Sequence, residues 1–145
     1  MHPGFVVIVP VLADGRVVME HIYRHPVQRT LLECPSGGLD GETPETAARR
    51  ELEEETGYRA QVLTHLGHFV GSSGRSSEEY DIFLATDLRA DSTMHREPTE
   101  QIRVELIPLA DLHARVLRHK LEDGPSALAI LLAVAVLSTA ALPLA

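Results

Sequence analysis

Short apolar runs fill the first third of the chain and predict β-strands. Phe5 to Leu12 and Val17 to Tyr23 are rich in valine and isoleucine, and Asp14-Gly15 between them favours a tight turn. A shorter run from Thr30 to Glu33 predicts a third strand. The glycine-rich segment from Cys34 to Glu42 predicts a loop, because glycine lets the backbone turn sharply and approach a ligand closely.

The second half of the chain continues with apolar runs of both strand and helix type. We predict strands near Gln61 to Val70, Tyr80 to Asp87 and Arg103 to Ile107, and helices over Leu109 to His119 and Ser126 to about Leu137. No internal repeat or interdomain linker interrupts this order. The pattern indicates an α/β fold with a mixed sheet and helices on its faces, in a single domain over residues 1–145.

A helix between these two halves is signalled at both ends. Thr43 is a good N-terminal cap, Pro44 suits the first helical position, and Gly57 can terminate the helix. Ala48 and Leu52 lie four residues apart and form a small apolar stripe for packing. The opposite face is therefore free to point into a cleft.

Three carboxylates, Glu51, Glu54 and Glu55, share one face of this helix. Acidic helix faces are more often simply solvated than functional. Like charges at this spacing nevertheless repel one another, and a hard divalent cation would relieve the repulsion. Mg²⁺ prefers oxygen ligands and is usually shared between a few carboxylates and substrate phosphates. The spacing therefore points to phosphate chemistry.

The run from Gly37 through Glu42 to Arg50–Tyr58 resembles the signature box of the Nudix hydrolases. That box has a glycine, five spacers, a glutamate, seven more residues, then Arg-Glu, an apolar residue, any residue, Glu-Glu, any residue, and Gly followed by an apolar residue. Everything from Glu42 onward fits, with Tyr58 as the apolar end. Only four residues separate Gly37 from Glu42, one fewer than the pattern, so we expect a tighter loop.

Segments outside the box resemble the ADP-ribose pyrophosphatase branch of this family. They are Asp14–Val18, Ile22–Pro26, Leu31–Pro35, Ser72–Glu78 and Glu97–Val104. The resemblance implies a Nudix-type α/β/α sandwich with a mixed central β-sheet. It also implies a homodimer, in a short form without the N-terminal strand module that many members of the branch carry.

The resemblance further implies Mg²⁺ as the cofactor, with Mn²⁺ as a possible substitute. Glu51 and Glu55 would bind the metal directly, Glu54 through the same cluster or its waters, and Arg50 would orient the carboxylates. The implied metal ligands are Glu51, Glu55, Glu54, the Ser36 main chain and Glu100. The implied catalytic residues are Glu54, Glu100, Glu97 and Arg50, with Glu100 and Glu97 as candidates for the general base. A solvated loop remains the alternative for these last two.

Substrate contacts are expected from four residues by the same resemblance. Arg24 and Glu33 match a diphosphate-facing arginine and a substrate-side glutamate, Arg75 would be a phosphate clamp, and Glu78 would belong to the substrate loop. The alternative for Arg24 is a plain surface salt bridge.

The net charge, the cysteine count and the C-terminal composition limit which partners and which cellular location we expect. A net charge of −8 and a pI near 5.4 argue against a nucleic-acid surface. The single cysteine, Cys34, excludes an intramolecular disulfide and, with no basic N-terminal leader, favours the cytoplasm.

The stretch from Pro125 to Ala145 has no charge and is about long enough for a membrane span. Its alanine content and its Ser, Thr and Pro residues nevertheless favour a core helix over residues 126–138.

The expected function is Mg²⁺-dependent hydrolysis of a nucleoside diphosphate linked to another moiety. ADP-ribose is the leading substrate by resemblance, giving AMP and ribose 5-phosphate. Other nucleotide sugars, dinucleoside polyphosphates and nucleoside triphosphates remain alternatives. A non-catalytic module that senses such a ligand is the alternative from a different class.

Overall fold

Seven strands and three α-helices make up the described part of the computed structural model, residues 3–90 and 101–139. A 3₁₀ turn, His25–Val27, follows the second strand. The elements are β1 (Phe5–Pro10), β2 (Arg16–Arg24), β3 (Arg29–Glu33), β4 (Ser36–Gly38), α1 (Pro44–Thr56), β5 (Tyr58–Val70), β6 (Glu79–Ala90), β7 (Ile102–Pro108), α2 (Leu109–Leu117) and α3 (Gly124–Thr139).

The strands form two sheets. Four strands in the order β4-β1-β6-β5 make a mixed sheet, in which β1 and β6 are parallel and the other two pairs are antiparallel. Three strands in the order β3-β2-β7 make an antiparallel sheet. The predicted α/β class and mixed sheet are confirmed. The sequence did not show that the strands belong to two separate sheets.

The mixed sheet has an apolar cluster on each face. On one face, Ala47, Ala48 and Leu52 of α1 are fully buried against Val6 and Ile8 of β1. On the other face, β1 and β6 share a larger cluster with β2, β7, α2 and α3. Successive residues of β1 alternate between these clusters, as the two-residue period of a strand requires. The α1 side chains that are not needed for packing are thus held at the edge of the sheet.

The prediction that the whole Cys34–Glu42 segment is a loop was wrong at its centre. Ser36–Gly38 forms the short edge strand β4, which pairs with β1 in the register Phe5 to Gly38 and Val7 to Ser36. Three small residues carry no apolar alternation, so the strand comes from backbone hydrogen bonding to a distant neighbour. The pairing places Gly37 directly against the α1 side chains.

The C-terminal apolar stretch contains α3, a helix of 16 residues. Its buried positions, Ser126, Ala129, Ile130 and Ala133, face the larger cluster. Among the residues the structure describes, no helix has the length and apolar character needed to cross a membrane.

Candidate active site

Helix α1 presents its glutamates at the edge of the mixed sheet. The Thr43 hydroxyl accepts a hydrogen bond from the Thr46 N–H at 3.3 Å and caps the first turn, while Gly57 ends the helix at φ 78°. Because Leu52 is buried in the core, the neighbouring turn directs Glu51 and Glu55 toward β4. Both carboxylates line a cleft of about 860 Å³.

Gly37 lets Glu51 reach this position. A Cβ atom at residue 37 would overlap the Glu51 carboxyl group, so only glycine leaves room for it. Burial raises the pKa of Glu51, and the hydrogen bond from Arg50 partly offsets this effect. The carboxyl group is held between a strand backbone and a guanidinium.

Arg50 connects the helix to the loop before it. Its Nε donates to Glu42 at 2.5 Å, and its Nη1 donates to Glu51 at 2.6 Å and more weakly to Glu54 at 3.4 Å. Its Nη2 donates to the Gly38 carbonyl at 3.0 Å. Desolvation lowers the pKa of Arg50, but the hydrogen bonds to Glu42 and Glu51 outweigh it and the net pKa is raised. The guanidinium therefore stays charged among the box carboxylates.

Glu55 and Glu54 differ in their surroundings. Glu55 is only 6% exposed, and its Oε2 accepts a hydrogen bond from the Ser36 N–H at 3.3 Å. The Glu54 side chain is 50% exposed and is not among the cleft-lining residues. The structure therefore brings Glu51, Glu55 and Ser36 together and leaves Glu54 at the rim.

Arg24 and Glu33 also line the cleft, and they bind each other. Arg24 Nε and Nη2 donate to the two Glu33 carboxylate oxygens at 2.7 and 2.8 Å. The sequence predicted each residue as a substrate contact but not their pairing. In the β2–β3 hairpin Arg24 lies opposite Arg29 and Glu33 lies opposite Glu20, so the Arg24 side chain reaches along the strands to Glu33. Glu33 is 4% exposed, so Arg24 satisfies a carboxylate that would otherwise be buried without a countercharge.

The other predicted residues take different positions. Glu78 lines the cleft, whereas Arg75 lies in an exposed turn closed by Ser72 and does not line it. Glu97 and Glu100 lie outside the described residues, so their roles stay predictions.

Sequence reasoning missed several residues that line the cleft, among them Phe5 and Asp123. The Phe5 ring stacks on Tyr80 with centroids 4.7 Å apart. Asp123 precedes α3 and lies 90 residues from Glu33. The Asp-x-x-Ser spacing before an apolar run was a signal of a helix cap. It carried no information that this cap borders the cleft.

The donor atoms at the cleft fit a hard cation. Across residues 3–90 and 101–139, no three His, Cys, Asp or Glu side chains converge into a preformed metal cage. Glu51 and Glu55 nevertheless supply carboxylate oxygens beside the exposed edge of β4. Mg²⁺ is typically held by one or two carboxylates, water and substrate phosphates rather than by a full protein cage. The residues present fit that mode of binding.

Comparison with known proteins decides the family. The NUDIX domain matches residues 1–128 of the 145 in the chain. The chain belongs to the Nudix family. The predicted family is therefore confirmed, and the chain is a Nudix hydrolase.

Two curated relatives and one solved structure are similar to this Nudix hydrolase over most of its length. An ADP-ribose pyrophosphatase of Bacillus subtilis is 37% identical over 131 residues, which is 89% of this chain and 71% of the relative. An ADP-ribose pyrophosphatase of Mycobacterium tuberculosis is 35% identical over 85% of this chain and 61% of its own length. A crystal structure of an ADP compounds hydrolase superposes with a TM-score of 0.84 at 28% identity, covering 95% of this chain and 74% of the other.

Proposed function

We propose that this Nudix hydrolase cleaves the diphosphate of a nucleotide sugar in a metal-dependent reaction, with ADP-ribose as the leading substrate and AMP and ribose 5-phosphate as products. The observation that carries the proposal is the placement of Glu51 and Glu55 beside β4 at the wall of the cleft. The names of the Bacillus and Mycobacterium relatives support this choice of substrate. A GDP-mannose pyrophosphatase of Yersinia pestis is 32% identical over 77% of this chain, so other nucleotide sugars are alternative substrates.

The charges of the cleft support a need for cations. Among the residues that the structure describes, one guanidinium, that of Arg24, lines it together with five carboxylates, namely Glu33, Glu51, Glu55, Glu78 and Asp123. A diphosphate would be repelled by this wall unless positive charge entered with it. Nudix hydrolases generally use a divalent metal such as Mg²⁺, and we propose Mg²⁺ here, with Mn²⁺ as a substitute.

Glu51 and Glu55 are the proposed protein ligands, together with the Ser36 main chain. Glu54 is proposed to act from the rim, through water, because its side chain is half exposed. When bound, a divalent metal neutralises phosphate charge and activates water for attack on phosphorus.

Arg50 and Arg24 are proposed to act in binding and positioning. Arg50 fixes the orientation of Glu51 through the 2.6 Å hydrogen bond, so the carboxylate does not need to reorganise when the site is loaded. Arg24 uses Nε and Nη2 on Glu33, which leaves Nη1 to donate to a phosphate oxygen in the cleft. We propose Glu78 as a cleft-side contact and Arg75 as a clamp that would have to move inward.

The proton of the attacking water needs an acceptor near the cleft. We propose Glu100, with Glu97 as the second candidate, on the resemblance of their segment to the catalytic loop of the branch. The homodimer, the cytoplasmic location and the single-domain organisation are likewise proposals. The chain spans between about half and seven tenths of the length of the first relatives it matches.

Product analysis tests the proposed function. The purified protein is incubated with Mg²⁺ and, separately, ADP-ribose, GDP-mannose, a dinucleoside polyphosphate and ATP, and the products are separated by chromatography. We expect AMP and ribose 5-phosphate from ADP-ribose, with no release when EDTA removes the metal. Preferred cleavage of another substrate would overturn the ADP-ribose assignment. Tight ADP-ribose binding without any turnover would instead indicate a sensor.

A further inference from the structure

Asp123 joins the start of α3 to the wall of the cleft. Its Oδ2 accepts hydrogen bonds from the Ser126 N–H at 3.1 Å and the Ser126 hydroxyl at 2.6 Å, which makes Asp123 the N-terminal cap of α3. The Ser126 hydroxyl oxygen in turn accepts from the Cys34 N–H at 2.9 Å. This chain of bonds ties the cap to the segment that connects β3 and β4.

The second carboxylate oxygen of Asp123, Oδ1, has a different environment. Within the described residues it makes no hydrogen bond, and Asp123 lines the cleft beside Pro125. The hydrogen bond and charge of Glu33, and more weakly the charge of Asp123, raise the pKa of Arg24, and all three residues line the cleft. Both Glu33 oxygens are already bonded to Arg24. Asp123 Oδ1 is thus an acceptor in this wall that remains available to a ligand.

An ionised carboxylate oxygen only accepts hydrogen bonds. A sugar hydroxyl is a donor and suits it. A terminal phosphate at neutral pH offers mainly acceptor oxygens and negative charge, and a carboxylate beside it is repulsive. ADP-ribose and ATP share adenine, the first ribose and two phosphates, and differ only beyond the second phosphate. At a position beyond the second phosphate, the Asp123 carboxylate therefore favours the sugar of ADP-ribose and disfavours the third phosphate of ATP.

We propose that Asp123 determines specificity at this site: its Oδ1 accepts a hydrogen bond from a hydroxyl of the sugar beyond the diphosphate and disfavours a terminal phosphate in the same place. The inference rests on the proposed function and deepens it. It assigns the wall formed by the start of α3 to the sugar half of the substrate. The class of substrate is then a diphosphate-linked sugar rather than a nucleoside triphosphate.

Asp123→Asn tests this role while sparing the helix. The amide oxygen can still accept the two Ser126 hydrogen bonds, whereas the open atom changes from an acceptor to an N–H donor. Asp123→Ser keeps a capping oxygen and removes the second oxygen altogether. Glu122→Gln is the matched control, because it also removes a carboxylate next to α3 but one that pairs with Arg29 at 2.8 Å and does not line the cleft.

The measurement is kcat and KM for ADP-ribose and for ATP with Mg²⁺, in wild type and the three variants. We expect both Asp123 variants to raise the KM for ADP-ribose about tenfold, the effect of one lost hydrogen bond to a charged group. Their kcat for ADP-ribose should stay within about twofold of wild type, and ATP hydrolysis should become faster because the repulsive charge is gone. Glu122→Gln should keep wild-type values for both substrates.

Two results would overturn the role of Asp123. The first is an unchanged KM for ADP-ribose in both Asp123 variants. The second is an equal loss on ADP-ribose and ATP, since that would place Asp123 at a part the two substrates share. Absence of ADP-ribose hydrolysis by wild type would refute the proposed function and this inference with it. Thermal midpoints within a few degrees of wild type show that the variants are folded.

Discussion

Single residues connect the segments around the candidate active-site cleft. Arg50 bonds to Glu42 in the loop, to Glu51 on its own helix and to the Gly38 carbonyl on β4, so one guanidinium fixes three segments. The sequence identified Glu51, Glu54 and Glu55 because helical spacing places them on one face, and it identified Arg50 through the resemblance to the Nudix box. It did not reveal that Arg24 and Glu33 bind each other, since that pair depends on the register of two strands.

Replacing Gly37 with alanine tests the close approach of Glu51. The new Cβ would take the space of the Glu51 carboxyl group and displace it from Arg50. We expect kcat for ADP-ribose to fall about 10- to 100-fold, because small displacements of reacting groups are costly. Gly74→Ala is the control, since a Cβ there meets nothing within 4 Å. Wild-type kcat in Gly37→Ala would show that Glu51 does not need this contact.

Secondary-structure elements differed in how well the sequence specified them. Helix α1 was predicted closely because Thr43, Pro44 and Gly57 mark its ends in the local sequence. Strand β4 was not, because Ser36–Gly38 becomes a strand only through its pairing with β1. The sequence therefore located the cleft-lining side chains of α1 better than the backbone edge beside them.

Strands β5 and β6 are linked by a histidine cluster. His65 Nε2 lies 2.8 Å and His68 Nδ1 lies 3.1 Å from Asp81 Oδ1, while His68 Nε2 lies 3.2 Å from Glu79. The hydrogen bonds to Asp81 and Glu79 raise the pKa of His68 above its ordinary 6.5. Protonated His68 therefore favours the folded state.

The sign of the pH dependence follows from this raised pKa. The stabilisation is complete below the unfolded-state pKa of about 6.5 and is lost as pH rises through the folded-state pKa. We expect the urea midpoint of wild type to fall over this range, and His68→Gln to show a weaker fall. His113→Gln on α2 is the control. An identical pH profile in wild type and His68→Gln would contradict the assignment.

At the scale of the whole molecule, two apolar clusters support the cleft from opposite sides of the mixed sheet. The fold class was predictable because the strand and helix patterns extend over most of the chain, and the family was predictable from the Nudix box between Gly37 and Tyr58. The cleft wall at Asp123 was not, because it arises where α3 returns to the end of β3.

The contribution of α3 to the core can be measured with neighbouring residues. Ile130 is fully buried in the larger cluster, whereas Leu131 is 38% exposed. We expect Ile130→Ala to lower the free energy of unfolding by about 2–5 kcal/mol, and Leu131→Ala by less than about 1 kcal/mol. Equal, small losses by chemical denaturation would mean that α3 is not part of the folded domain.

The most direct test of the central claim compares two glutamates of α1. Glu55 lines the cleft. Glu53 does not line it and instead accepts a 2.8 Å hydrogen bond from Arg59. With ADP-ribose and saturating Mg²⁺, kcat is measured for wild type, Glu55→Gln and Glu53→Gln. We predict a loss of at least about a hundredfold in Glu55→Gln and wild-type turnover in Glu53→Gln. Substantial turnover by a folded Glu55→Gln variant would contradict the assignment of this helix face to catalysis.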